Sequence, residues 1–171
     1  MNKKVQSIKI NFVMNSILTM SSFIFPLITF PYVSRILLPS GIGKVSLATS
    51  VITYFTMFAQ LGIPTYGIRA CAKVRDNRRE LTKVSQELLI ISIIMSAISY
   101  MILFILLFSV PKFRCEKELY VILSFTILLT AIGMEWLYKA LEQYTYITMR
   151  SVIFKFIALI AMFFLVHKQT D

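Results

Sequence analysis

The chain has 171 residues, a formal net charge of +10 and a mean hydropathy of +0.75. Hydrophobic residues make up 57% of it and charged residues 15%, against about a quarter in a soluble domain. Because a soluble domain of this size does not bury so much apolar surface, the composition excludes one and indicates a protein whose solvent is the lipid bilayer.

Charge-free windows predict the membrane helices in chain order. A span needs about 20 predominantly apolar residues, and the windows 10–34, 45–68 and 88–111 exceed this length without a charge. A fourth window begins near residue 119, and a fifth carries Arg150 and Lys155 in its first half. Helices satisfy their own backbone hydrogen bonds in lipid. We therefore predict a single membrane domain, 1–171, with spans at 11–34, 45–66, 88–110, 119–138 and 146–166.

Basic residues predict the orientation. Lys3, Lys4 and Lys9 precede the first window, which is too long for a signal peptide and lacks its small-residue cleavage site. With the N-terminus in the cytoplasm, the connection 69–87 is also cytoplasmic, and most of the 18 Lys and Arg residues lie on that side. The connection is either a solvated loop or a short amphipathic helix on the inner leaflet. Since topology explains the positive charge, no nucleic-acid partner is expected.

Few residues suit catalysis or cofactor binding. The single histidine, His167, lies at the end of the last span, and Cys71 and Cys115 fall on opposite sides of the membrane in this topology. No phosphate-binding G-x-x-x-x-G-K-[ST] loop is present. We predict no catalytic residue, no cofactor and no metal site.

Polar residues recur inside the spans at steps of three and four, which places each set on one helix face. Small hydroxyl residues alone indicate close helix packing. Asparagine, glutamine and lysine extend the same stripes, and ionisable residues inside a membrane mark functional cavities, so the pattern favours a polar cavity. The stripes are Asn11, Asn15, Thr19, Ser22, Pro26 and Thr29; Ser46, Thr49, Thr53, Thr56 and Gln60; Ser92, Ser96 and Ser99; and Tyr144, Thr148, Ser151 and Lys155.

Arg35 lies at the end of the first window between Pro31 and Pro39, with Pro26 further upstream. Proline kinks a helix, and transporters use discontinuous spans around their sites. Arg35 either extends to water at the outer interface or faces a cavity and binds an anion. The fourth span ends with Glu135, which is spaced for an ion pair with the lysine four residues later, and such a pair is either structural or part of a site.

Two segments resemble a known family. The run PLITFPYVSRILLPSGIGKVSLATSVITYFTMFAQLGIPTYGIRACAKVRDNRREL carries P-Y-V-S-R-x-L-x-P, L-G-I-P-x-Y-G-I-R and R-D. The second, GMEWLYKALEQYTYITMRSVIFK, carries G-x-E-W-x-Y and E-Q-Y-x-Y-I-T-x-R-S. Both are similar to bacterial polysaccharide flippases of the Wzx or O-antigen transporter type, within the multidrug/oligosaccharidyl-lipid/polysaccharide exporter superfamily.

The resemblance implies an all-α, polytopic helical bundle in the bacterial cytoplasmic membrane. Such proteins move undecaprenyl-diphosphate-linked oligosaccharides to the outer leaflet for O-antigen, capsule or exopolysaccharide. The implied partners are the lipid-linked oligosaccharide, membrane lipids, and a polysaccharide polymerase or other assembly proteins. By match to the motifs, the implied substrate path includes Arg35, Arg69, Lys139 and Arg150, to which the polar stripes add Asn15 and Gln60.

Family members have about 12 to 14 spans in two lobes, so five spans would form an incomplete N-terminal lobe. Three alternatives remain. The chain could be a truncated, transport-incompetent membrane protein. It could be a cation-coupled drug exporter, although the first span lacks the acidic residue expected for one. It could also be a membrane-embedded glycosyltransferase or polymerase of the same pathway, although Glu135 is the only carboxylate within or near a span.

Overall fold

A computed structural model of the protein describes residues 8–165, which contain helices and turns and no strand. Four helical stretches in this part of the chain are long and apolar enough to cross a membrane: Ile8–Lys73, Arg78–Ser109, Lys117–Ala140 and Tyr144–Phe164. The protein is therefore an all-α, polytopic membrane protein, which confirms the predicted fold class. Lys3, Lys4 and His167 lie outside the described residues. The helices are α1 (Ile8–Gln60), α2 (Ile63–Lys73), α3 (Arg78–Ser109), α4 (Pro111–Arg114), α5 (Lys117–Gly133), α6 (Glu135–Ala140) and α7 (Tyr144–Leu165).

Helix α1 contains a break at Leu38, where φ is 58° and ψ is 165°. Pro39 explains its position, because proline disfavours the helical conformation of the residue before it. The torsion angles of α1 leave the helical range at Leu38, and the kinks that the sequence predicts at Pro26 and Pro31 stay predictions. At about 1.5 Å per residue, the part of α1 on each side of Leu38 is long enough to cross the hydrocarbon core of about 30 Å.

The polar segment 69–87 is mostly helical. Helix α2 continues to Lys73, and α3 begins at Arg78. Asn77 caps α3, because its side-chain oxygen accepts hydrogen bonds from the backbone N–H groups of Arg79 and Glu80, at 3.2 and 3.4 Å. The basic start of α3 is thus a helical extension of an apolar span.

The described residues form two compact units. Unit 1 consists of 8–43 and 142–165, and unit 2 is Lys44–Leu141. Large apolar side chains are exposed in both, including Phe23 at 68% and Leu129 at 68%. In a membrane protein these side chains contact lipid, which is as apolar as they are.

In unit 1, the first part of α1 packs against α7. The Thr148 hydroxyl donates to the Met14 carbonyl at 2.9 Å. Further along, two edge-to-face aromatic pairs join the helices, Phe25 with Phe156 and Tyr32 with Phe163, at centroid distances of 5.1 and 4.7 Å. Residue numbers rise together on both helices along this contact, so the two helices run parallel.

In unit 2, the serine stripe of α3 serves packing. Ser92, Ser96 and Ser99 are all buried, and the Ser99 hydroxyl donates to the Phe55 carbonyl at 3.1 Å. Small residues of this kind let helix backbones approach closely and hydrogen-bond across the interface. The apolar cluster beside this stripe consists of Ala48, Ile52, Ala59, Leu103, Leu107, Tyr120 and Ile127.

Candidate functional site

Two helix breaks in unit 2 shape a pocket that holds both polar and apolar side chains. Between α1 and α2 the chain turns through Leu61 and Gly62, with φ of 45° and 73°. Between α5 and α6 it turns at Met134, with φ of 44°. Left-handed torsion angles are costly for leucine and methionine, so surrounding contacts must hold these turns. Discontinuous helices of this kind free polar groups to face a site inside a membrane.

A close contact between α2 and α6 fixes the two breaks. Gly67 of α2 is buried against Trp136 of α6, and a Cβ atom at position 67 would lie 2.6 Å from Cε3 of the indole. Only glycine lets the indole lie this close to the α2 backbone. An apolar cluster of Ile63, Cys71, Leu88, Trp136 and Ala140 surrounds the contact.

The pocket, which we call the break pocket, has a volume of about 210 Å³. Its charged groups form an ion pair, Glu135 Oε1 to Lys139 Nζ at 2.8 Å, at the favourable i, i+4 spacing. The pair, the Gln60 amide and the Ser92 hydroxyl offer donors and acceptors suited to a hydroxyl-rich group. The Thr130 hydroxyl already donates to the Thr126 carbonyl at 2.6 Å, so it can only accept. The lining residues are Gln60, Ile63, Pro64, Ile68, Ser92, Thr130, Glu135, Trp136 and Lys139.

The polar stripe of α1 in unit 2 lines a second groove, of about 250 Å³, which shares Gln60 with the break pocket. The hydroxyls of Thr53 and Thr56 donate to carbonyls of their own helix, at 2.7 and 2.8 Å. These donors are therefore already satisfied. Gln60, with its larger amide, is the member of the stripe best suited to contact a ligand.

Unit 1 holds a cation inside its α1–α7 contact. Lys155 Nζ lies 2.9 Å from the hydroxyl oxygens of both Ser21 and Ser22, and 5.9 Å from the ring centroid of Phe25. Ser22, Phe25 and Lys155 border a groove of about 480 Å³, which we call the lysine groove. Its lining residues are Ser22, Phe25, Pro26, Thr29, Val33, Lys155, Ala158, Leu159 and Met162.

In the sequence, Lys155 belongs to a polar stripe but not to the predicted candidate site. The available signal was a charge about halfway along an apolar window, where ionisable residues are expensive and functional. Helical periodicity gives the face of α7 on which Lys155 lies but not its partners. Ser21 is missing from the stripe of α1, so the pairing with Lys155 needed the structure.

The six candidates occupy different surroundings. In unit 1, Asn15 and Arg35 are exposed, and neither lines the lysine groove. Arg150 is half-buried, with its guanidinium 5.8 Å from the Tyr146 ring centroid. In unit 2, Gln60 and Lys139 share the break pocket, whereas the exposed Arg69 does not line it. All six remain predictions as substrate contacts.

Comparison with known proteins identifies the family. The family described as "Polysaccharide biosynthesis protein" matches residues 8–168, so the chain belongs to that family. A protein of Escherichia coli (strain K12) described as "Putative O-antigen transporter" is 24% identical over 173 residues. That alignment covers the whole of this chain and 41% of the relative, so the chain spans about two-fifths of the relative's length. No solved structure matches. The family confirms the resemblance drawn from the sequence motifs.

Proposed function

We propose that the protein takes part in the export of lipid-linked oligosaccharide units for surface polysaccharide, which is O-antigen, capsule or exopolysaccharide. The observation that carries this proposal is the polysaccharide biosynthesis family match over residues 8–168. The likeness to a relative described as an O-antigen transporter supports transport, rather than catalysis, as the class of function. The cargo we propose is an undecaprenyl-diphosphate-linked oligosaccharide flipped from the inner to the outer leaflet.

The polar groups inside both units support the proposal that the cargo is a lipid-linked oligosaccharide. A lipid-linked oligosaccharide has an apolar tail that stays in the bilayer, and a charged, hydroxyl-rich head that does not. The head crosses the hydrocarbon only where the protein replaces its lost contacts with water. The break pocket supplies an amide, hydroxyls and an ion pair, and the lysine groove supplies an ammonium.

The parallel packing of the first part of α1 against α7 supports five crossings. Two parallel spans in one chain must be separated by an odd number of crossings. We propose that the three between them are the second part of α1, α3 and α5. With the basic N-terminus in the cytoplasm of a bacterial inner membrane, the first and fifth spans then both run outward.

Because the chain spans about two-fifths of its relative, we propose that export is a property of a complete two-lobed transporter. This chain supplies helices of the N-terminal lobe. A polysaccharide polymerase and other assembly proteins are the proposed partners, since they consume the exported unit.

Deletion of the gene in its native host tests the proposed function. Without export, we expect loss of surface polysaccharide and accumulation of the lipid-linked unit on the cytoplasmic leaflet, both restored by the gene as it is encoded at its locus. Mass spectrometry of extracted lipids and staining of surface glycan measure the two quantities. Absence of the lipid-linked unit altogether would instead indicate an enzyme that makes it, and an unchanged surface would contradict a role in export.

Arg35 provides a sharper test of the same export. Replacing it with alanine removes a bidentate phosphate donor, whereas lysine keeps the charge as a point donor. We expect Arg35→Ala to lower export about tenfold, the loss of one charge-assisted interaction, and Arg35→Lys to lower it less. The complementation assay measures both variants. Full activity in both would remove Arg35 from the substrate path.

A further inference from the structure

Lys155 lies near the middle of α7, Tyr144–Leu165. Counted from the start of this helix, at about 1.5 Å per residue, it lies about 16 Å along it, and a hydrocarbon core is about 30 Å thick. We therefore place Lys155 near the middle of the membrane. Its serine partners lie at a similar depth along the parallel α1. Lysines reach water by extending along the helix only near helix ends, so at this depth the ammonium depends on groups within the membrane.

The serine hydroxyls are oriented for the ammonium. Ser21 and Ser22 both donate to the Leu18 carbonyl, at 2.7 and 3.0 Å, so their oxygen lone pairs are available to accept from Lys155. An ammonium has three N–H donors, and two of them are used here. The third is available to a ligand in the lysine groove.

The charge of Lys155 is left uncompensated. Within the part of the chain that the structure describes, its partners are two neutral hydroxyls and the Phe25 ring, and no carboxylate pairs with it. Neutral oxygens satisfy hydrogen bonds but do not cancel a positive charge, and an isolated ammonium in hydrocarbon is unfavourable. An anion that enters the lysine groove would therefore be bound more strongly than at a neutralised lysine.

The rest of the lysine groove is apolar. Pro26, Leu159 and Met162 form its walls beside the ammonium. A groove with one cation and apolar walls suits an amphiphile, because a chain of the ligand replaces lipid while its anionic group contacts the charge. A free, fully hydrated anion would gain nothing from these walls.

We infer that Lys155, positioned by Ser21 and Ser22, binds a phosphate group carried on a lipid as that group crosses the middle of the membrane. The identity of the lipid as the diphosphate cargo rests on the proposed function. An ordinary phospholipid carries the same chemical group and is the alternative source. Phosphate suits the site, because lysine binds it as a point charge without the planar fork of arginine.

Binding to the purified full chain in an uncharged maltoside detergent tests the inference. The probes are undecaprenyl diphosphate, undecaprenol without a phosphate, and phosphatidylglycerol, titrated and followed by native mass spectrometry. We expect undecaprenyl diphosphate to bind and undecaprenol to bind at least tenfold more weakly, as for the loss of a charge-assisted contact. Lys155→Met should weaken diphosphate binding by about the same factor, and Lys155→Arg by less. Lys117→Met, at an exposed lysine in the first turn of α5, is the matched control and should bind normally.

Each outcome decides one point. Wild-type binding in Lys155→Met would overturn the site. Lys155-dependent binding of phosphatidylglycerol as tight as that of the diphosphate would support a lipid-phosphate site but overturn its assignment to the cargo. If Lys155→Met does not fold, as judged by circular dichroism, the Ser21→Ala/Ser22→Ala variant keeps the charge and removes its positioning. That variant should bind several-fold more weakly, and unchanged binding would overturn the role of the serines.

The inference about Lys155 and the proposed function can fail independently of each other. If deletion of the gene abolishes export but Lys155→Met still binds and exports normally, the proposed function stands and this inference fails. If the deletion leaves export intact while Lys155-dependent binding persists, the lipid-phosphate site stands and its link to the cargo fails.

Discussion

The two units surround three of their lysines with different partners. In unit 2, Lys44 is paired with Glu116 and Lys139 with Glu135, so each of these charges is offset by a carboxylate of the same unit. In unit 1, Lys155 contacts two serine hydroxyls instead. A neutralised lysine stabilises the fold and attracts little, whereas a lysine held only by neutral oxygens retains its attraction for an anion. The partners of a lysine thus distinguish the two roles. A carboxylate partner indicates a structural lysine, and neutral partners alone indicate a lysine that can bind an anion.

Packing differs between the units as well. Unit 2 relies on close backbone approach, at Gly67 against Trp136 and along the buried serines of α3. The α1–α7 contact of unit 1 relies on edge-to-face aromatic pairs and on side chains that reach across. Close backbone approach tolerates little change of volume, so substitutions should cost more stability in unit 2.

The largest expected effect on stability is at Gly67. In Gly67→Ala, the new Cβ would lie 2.6 Å from the Trp136 ring, which must move. Overpacking of this kind typically costs about 1–3 kcal/mol. Thermal unfolding in detergent, followed by circular dichroism, measures the loss. Gly133→Ala is the control, because its Cβ meets nothing within 4 Å. Equal losses of stability in both variants would contradict the view that close backbone approach at Gly67 makes unit 2 sensitive to added volume.

A smaller effect is expected at the Glu135–Lys139 pair. Both side chains are partly exposed, at 46% and 34%, so the coupling between them should be about 0.3–1 kcal/mol. In a double-mutant cycle of Glu135→Gln and Lys139→Met, the double variant should recover part of the stability that Lys139→Met loses. The free energy of unfolding of all four proteins gives the coupling. A coupling of zero would mean that Lys139 is not structurally neutralised and would weaken its contrast with Lys155.

Chemical labelling perturbs the protein least. It tests which side of the membrane the connections between the spans face. Cys115 is exposed and should react with a membrane-impermeant maleimide from outside the cell. Cys71 is buried, so it should react slowly from either side. The exposed neighbouring position, in Ala72→Cys on a background with both native cysteines replaced by serine, should react only from the cytoplasm. Labelling of position 72 from outside would reverse the proposed topology.

Apolar length is a local property of the sequence, so the apolar windows fall in helical stretches that are long and apolar enough to cross a membrane. The windows 11–34 and 45–66 lie in the single stretch Ile8–Lys73. The bounds of the five spans stay predictions. Pro39 and Gly62 were visible signals for the breaks beside them. The break at Met134 was not predictable, since methionine is a good helix former and its left-handed torsion depends on the packing around it.

The candidate site was less predictable from the sequence, because a site depends on tertiary contacts that the sequence does not give directly. Motif likeness and periodicity selected Gln60 and Lys139, which the structure brings into one pocket. They also selected Asn15 and Arg69, which are exposed. Periodicity gives the face of a helix, but whether that face meets lipid, another helix or a groove depends on tertiary contacts. Neither signal selects Lys155, because its partners come from α1, which is distant in the chain.

The contact of Gly67 with Trp136 has a consequence for how the family varies. Gly67 belongs to L-G-I-P-x-Y-G-I-R and Trp136 to G-x-E-W-x-Y, the two motif segments that are far apart in sequence. Because the indole lies too close to the α2 backbone to leave room for a Cβ at position 67, we expect the two positions to vary together among relatives. A relative with a larger residue at the position of Gly67 should carry a smaller side chain at that of Trp136. The two motifs thus act as one signature, and a search that requires both together should separate true members from chains that match one segment by chance.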